Sequence, residues 1–391
     1  MQTSDIFELL RDGRPRTRTQ LAQLTGLARS TVAARIDVLV RLGLVAPYGD
    51  AASTGGRPPS LFAFNPGAQV VVGVDIGATH ARAVLADLSG ALLAETRAPL
   101  DVAAGPEEVL GWVRRTVDEL VGADAARLGA IGMGLPGPVE HSTGRPINPP
   151  IMPGWDRYDV VGHVQRHHPV PVLIDNDVNI MALGEQRTHW PDVDDLVFIK
   201  VATGIGAGII SGGSLQRGAQ GTAGDLGHVR VSRADGMVCR CGNEGCLEAI
   251  AAGPAVAARL REAGADVTGS QDVVELIRAG DLAAVQAVRD AGRDIGEVVA
   301  TLVNLINPSV VVIGGRLAAA GEQLLAGIRE VVYRRSLPLA TEHLRVVPSA
   351  AGEQAGVLGA AALAIGHVLS PAAIEVASAS VGSKVGGRAA K

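Results

Sequence analysis

The chain has 391 residues, 47% apolar and 19% charged, the balance of a soluble globular protein long enough for two or three domains. Its net charge of −5 is uneven: residues 1–66 carry a balance of +3, which leaves −8 for the rest, so nucleic acid is expected to meet only the N-terminal part. Lysine occurs only as Lys200, Lys384 and Lys391, which sets aside a phosphate-loop lysine or Schiff-base chemistry.

The first twenty residues alternate acidic and basic positions without an apolar core, so no signal peptide is expected. From Ser4 to about Leu44 the apolar spacing is helical in three pieces. Ile6, Leu9 and Leu10 mark the first. Thr19 is the expected cap of a second that holds Leu21 and Leu24, and Gly26 breaks it. The third runs from about Arg29 to Leu42 with Val32, Ile36, Leu39 and Leu42 facing inward, leaving Arg29, Ser30, Thr31 and Arg35 outward.

Two short helices around a glycine turn, the second starting on polar and basic residues, read as a helix-turn-helix whose second helix enters a major groove. Leu44 to Ala46, a turn rich in Gly and Pro, and Leu61 to Phe64 read as a wing. Its tip, Thr54-Gly-Gly-Arg57-Pro-Pro, carries Arg57 on a slender backbone suited to a narrow minor groove. Helix face, wing and tip together favour operator DNA over the alternative of a three-helix packing or dimerisation module.

After the linker Asn65-Pro66-Gly67 the pattern changes to strands: Val70–Asp75, Ala81–Ala86 and Leu92–Arg97, then a helix over Pro106–Leu120 and a strand over Ala130–Met133. The turn Asp75-Ile-Gly77-Ala-Thr79 can hold a hydrated Mg²⁺ and offer backbone N–H groups to phosphate oxygens. The plan recurs at Leu196–Val201, followed by Ala202-Thr203-Gly204-Ile205-Gly206 and a second strand. Two matching glycine turns imply a duplicated α/β unit with nucleotide in the cleft between its halves.

Between the turns, Val172-Leu-Ile-Asp175-Asn176-Asp177 is a strand that ends on polar residues where a helix begins. Carboxylates at that mouth can take a proton from an attacking hydroxyl; the alternative is that Asp175–Asp177 only cap the helix. Asn148 lies in a tight turn at the same mouth. Val310-Val-Val-Ile-Gly314-Gly315 reads as a buried strand whose two glycines let a backbone approach an adenine or ribose.

All three cysteines, Cys239, Cys241 and Cys246, fall within eight residues, and His228 stands upstream. Three thiolates and an imidazole make a closed tetrahedral zinc site, structural because no position is open to a reacting water. An odd cysteine count and the lack of a secretory segment weigh against a disulfide and point to the cytoplasm. The pinned loop carries Asp225, His228 and Glu248. The small, polar residues 371–391 predict a disordered tail. The expected divisions are 1–66, 67–185, 186–370 and this tail.

In this order, from Met1 to Gly366, the motifs resemble the ROK family of repressors and sugar kinases, within the actin-like ATPase superfamily. The run Gly-x-x-Gly-Cys246-Leu-Glu248 with its upstream Gly-His228 is the most specific element. The resemblance implies a winged helix-turn-helix followed by a duplicated, ribonuclease H-like sugar-kinase fold with a structural zinc loop. It assigns phosphate and Mg²⁺-ATP binding to Asp75, Gly77, Thr79, Thr203, Gly204 and Gly206, and makes Asp177 the catalytic base. It assigns sugar hydroxyls to Asn148, Asn176, Asp177, Asp225, His228 and Glu248, and zinc to His228 and the three cysteines. Three departures stand out: Asp225 where the family has Glu, Ala202 where it has Gly, and His80 after the turn threonine. The shorter acid moves a hydrogen bond and alters which sugar fits.

The implied function is a cytoplasmic, sugar-responsive repressor acting as a homodimer or higher homo-oligomer, with no membrane partner. The alternative is an active ATP-dependent sugar kinase that carries a DNA-binding module.

Overall fold

The structure, a computed structural model, describes residues 2–50 and 58–386. The head consists of helices Thr3–Leu10, Arg18–Thr25 and Arg29–Arg41 and a hairpin of Val45–Asp50 with Ser60–Phe64, whose second strand also pairs with Arg16–Thr17. The second helix is capped by Thr17 rather than Thr19. The Thr17 hydroxyl accepts the Gln20 N–H and Gln20 Oε1 accepts the Thr17 N–H at 2.8 Å, a reciprocal box that Thr19, with Ala22 three residues on, lacks the side chain to form. Ile6, Phe7, Leu10, Leu21, Val32, Ile36 and Leu39 are buried as the spacing requires, whereas Leu24 is 60% exposed. The wing tip with Arg57 lies outside the described residues.

Two five-stranded sheets follow on one plan. In the first, Val70–Ile76 is antiparallel to the meander His80–Asp87 and Leu92–Pro99, and parallel to Leu128–Leu135, which pairs in parallel with Val172–Asn176. In the second, Leu196–Val201 is antiparallel to Ile205–Ser211 and Ser214–Gln216, and parallel to Val310–Gly314, then Arg345–Pro348. The duplication expected from the two glycine turns is thus visible in the strand order. Register matches as well: Asp75, next to last in its strand, lies opposite Gly134, and Lys200, next to last in its own, lies opposite Gly314.

The central strands are runs of Val, Ile and Ala because both faces of each sheet are covered. Helices Pro106–Val121 and Ala355–Val368 cover the first sheet. Leu282–Ile306 and Glu322–Arg335 cover one face of the second, and Asp177–His189 covers the other. Helices Asp177–His189 and Ala355–Val368 cross closely enough that a Cβ at Gly184 would fall 2.0 Å from the Ala355 carbonyl oxygen. Fully buried Glu185 joins the two passages of the chain between the sheets: its carboxylate accepts the Ser349 hydroxyl at 2.6 Å and the N–H groups of Ala350 and Ala351 at 2.8 and 3.1 Å.

Two further expectations are corrected. Helix Ala355–Val368, which a division at 186–370 places in the second lobe, packs on the first sheet. Residues 371–386 form a helix rather than a disordered tail. Alanine-rich composition favours helix, and Ile374, 2% exposed, anchors it. Ile374 shares one cluster with Ile6, Phe7 and Ile36 of the head, Val71 and Val84 of the first sheet, and Ala361. No single helix among the described residues is long and apolar enough to cross a membrane.

Candidate functional site

The ends of the two central strands bring Asp75 and Lys200 to the start of helix Asp177–His189. Asp177, 6% exposed, is ion-paired with Lys200 through its Oδ2. Burial, then the negative charge of Asp177, push the Asp75 carboxyl up to about 6 against the pull of Lys200 and Arg82. Burial alone would lower Lys200, but the carboxylates of Asp177 and Asp75 outweigh it and raise its pKa. Scarcity of lysine hid this residue from sequence reasoning; the only signal for it is its place in the duplicated strand.

The first turn keeps its hairpin bond, Gly77 N–H to the His80 carbonyl at 2.8 Å, and Thr79 is exposed. The His80 ring lies against Gly77, where a Cβ would fall 2.1 Å from it. Burial, then the charges of Arg316, Lys200 and Arg82, lower the His80 pKa and keep the ring neutral. In the second turn Thr203 is exposed and Gly204 and Gly206 are half-buried. Glu248 reaches in from the start of its short helix to accept the Ile205 N–H at 3.0 Å, and a Cβ at Gly204 would lie 2.5 Å from its carboxylate. A Cβ at Gly314 would fall 2.3 Å from the Phe198 ring, and Gly315 (φ 87°) packs on the Val201 backbone.

At the cleft mouth the capping alternative describes Asn176: its Oδ1 accepts the Val178 N–H at 2.9 Å and its Nδ2 donates to the Gly137 carbonyl at 2.8 Å. Asp175, 3% exposed, accepts from Asn179 at 2.8 Å and from Arg217 at 2.7 Å. Arg217 follows the last meander strand of the second sheet, so this pair ties one sheet to the other. Asn148 holds an exposed turn (φ 43°), its N–H donating to Asp156 at 2.8 Å.

His228, Cys239, Cys241 and Cys246 place one ligand atom each within 4.8 Å of one another. Cys241 Sγ lies 3.7 Å from Cys246 Sγ, and His228 Nδ1 lies 3.7 Å from Cys239 Sγ. A tetrahedral ion with metal–sulfur bonds of about 2.3 Å requires edges of about 3.8 Å between sulfurs, so the residues fit such an ion. Burial and the neighbouring thiols push the Cys246 thiol up to about 12. The other ring nitrogen of His228, Nε2, faces Asp225 Oδ1 at 3.8 Å. Burial raises the Asp225 carboxyl, against His228. The loop therefore gathers Asp225, His228 and Glu248 against the second glycine turn.

On the head, Arg29 and Ser30 are exposed at the start of the third helix, while Thr31 and Arg35 are half-buried, Arg35 reaching the Gln2 carbonyl at 3.5 Å. Arg18 pairs with Asp37 at 2.6 Å and stacks over Phe62, 4.6 Å from the ring centre.

Residues 71–367 match the ROK family and residues 3–47 match the IclR helix-turn-helix domain. A putative xylose repressor from Caldicellulosiruptor sp. is 32% identical over 382 residues, covering 93% of this chain and 95% of the relative. A glucokinase from Thermotoga maritima is 31% identical over 75% of this chain and 96% of its own. The crystal structure of a ROK family transcriptional regulator, a homologue of the Escherichia coli MLC protein, superposes at a TM-score of 0.82 with 26% identity, covering 96% of this chain and 98% of that one. The chain belongs to the ROK family, with a helix-turn-helix head in front of its ROK domain.

Proposed function

We propose that the protein is a cytoplasmic, sugar-responsive transcriptional repressor. The observation that carries this reading is the single hydrophobic cluster that joins the head to the first sheet and to helix Ala355–Val368, so that a change in the cleft reaches the DNA-reading helix through packed side chains. Arg29, Ser30, Thr31 and Arg35 enter a major groove and Arg57 a minor one. Asn148, Asn176, Asp177, Asp225, His228 and Glu248 hold sugar hydroxyls. Zinc, bound by His228 and the three cysteines, supplies a structural cross-link that fixes Asp225 and Glu248. A dimer presents two heads to paired half-sites. Relatives named xylose repressor make xylose the first sugar to test.

The test is fluorescence anisotropy on DNA fragments selected by the protein, across salt concentrations and with xylose, glucose and N-acetylglucosamine. Salt-sensitive, sequence-preferring binding that one sugar changes is the expected result. Binding indifferent to both sequence and sugar overturns the reading.

The glucokinase relative supports a second reading, an ATP-dependent sugar kinase with Asp177 as base and with phosphates and Mg²⁺ held by Asp75, Gly77, Thr79, Thr203, Gly204 and Gly206. The ion pair of Asp177 with Lys200 weighs against it. Sugar-dependent ADP release that Asp177→Asn abolishes decides for the kinase.

A further inference from the structure

We propose that the Lys200 ammonium is a resident counter-ion standing in for a divalent cation beside Asp75 and Asp177, so that the cleft takes a neutral sugar without a magnesium-bound nucleotide. This rests on the repressor reading and specifies its ligand chemistry.

Placement is the first support. The duplicated fold puts Asp75 and Lys200 at equivalent positions, each next to last in its central strand and each opposite a glycine of the parallel neighbour. One half of the duplication thus presents a carboxylate and the other an ammonium, and Lys200 is hydrogen-bonded to Asp177. Mg²⁺ demands near-octahedral oxygen ligands at about 2.1 Å, supplied by carboxylates, phosphates and water. Here the Asp177 oxygen is already held by a cation that repels a second one.

The surroundings agree. The His80 ring covers the Gly77 turn, and Glu248 takes the Ile205 N–H of the second turn, so side chains of this protein fill ground that a nucleotide phosphate needs. Sugar recognition is spared by the same arrangement. An ionised carboxylate offers about four acceptor sites on two oxygens, and Lys200 engages Oδ2 only. Asp177 can still accept from a sugar hydroxyl through Oδ1 while Lys200 holds Oδ2.

The test measures anisotropy of a fluorescent ATP analogue on the zinc-loaded full-length protein, with and without added Mg²⁺, for wild type, Lys200→Ala and the longer, uncharged Lys200→Gln. A sugar-dependent rise in melting temperature reports that each variant is folded. Expected is a wild-type affinity that Mg²⁺ changes by less than about twofold, and a tightening of about tenfold or more in the variants, since loss of the ammonium opens the carboxylates to the ion. A wild type that tightens about tenfold on adding Mg²⁺ overturns the proposal, as do folded variants with no Mg²⁺ response. The wild-type comparison decides even where neither variant folds. Failure of the repressor reading shows elsewhere, as DNA binding that no sugar alters.

Discussion

Ser4 and Glu375, 371 positions apart in the chain, are joined by a hydrogen bond of 2.8 Å from the Ser4 N–H to the Glu375 carboxylate. It fastens the first helix of the head to the last helix of the protein, one residue from buried Ile374. Ile374→Ala is expected to cost the head about 2–5 kcal/mol, the range for a large-to-small change in a packed core. Proteolysis of the head should accelerate and DNA affinity should fall, while sugar affinity measured by calorimetry stays unchanged. Equal loss of both affinities would show that the contact supports the whole fold instead.

The metal cluster should govern the sugar site. Cys241 is the exposed ligand, so Cys241→Ser leaves the core intact, and Glu248 stands two residues beyond Cys246. Metal content by mass spectrometry should fall and sugar affinity should drop by roughly tenfold or more, as when metal-site support is lost. Full sugar affinity in metal-depleted protein would break the link.

Asp294, 3.0 Å from Arg233 of the metal loop, should shape the stability profile with pH. Burial pushes its carboxyl up to about 6, against Arg233 and Arg259, with Asp290 and Glu297 adding to the rise. Because the folded value exceeds the unfolded 3.8, the group's contribution is fully present below the unfolded value and is lost as pH rises through about 6. The melting temperature of Asp294→Asn relative to wild type should therefore climb between pH 4 and pH 7. A difference that stays flat across that window would discard this assignment.

Exposed Arg29 stands at the start of the third helix, where a phosphate or base edge would lie. Arg29→Ala should weaken DNA binding and, for a phosphate contact, reduce the slope of log affinity against log salt by about 0.9. Sugar affinity should not move. An unchanged slope with relaxed sequence preference would assign Arg29 to a base instead.

Local signals made the head and the two sheets readable. Gly26, the apolar spacing of Val32, Ile36 and Leu39, and the twin glycine turns after Asp75 and Val201 each act over a few residues, and each has its expected place. The rest depends on partners that the local pattern does not show. Thr17 outcompetes Thr19 through Gln20 alone, but the helix at 371–386 owes its anchoring to Phe7 and Ile36 far back in the chain. Gly314 serves Phe198 across the sheet, a partner that only strand pairing reveals. Lys200 looked incidental because its meaning lies in the carboxylate that a different element sets against it.

Glu185 lies where the chain crosses between the two sheets. The chain passes from one sheet to the other along helix Asp177–His189 and returns through residues 349–354, and this one buried carboxylate fastens the return strap to the outgoing helix. Outgoing helix and returning strap are thus held side by side where the chain crosses between the sheets, with the Asp175–Arg217 pair as a second tie. Helix Ala355–Val368 leaves this junction directly and packs in one cluster with Ile6, Phe7 and Ile36, so the fastening lies one helix away from the head.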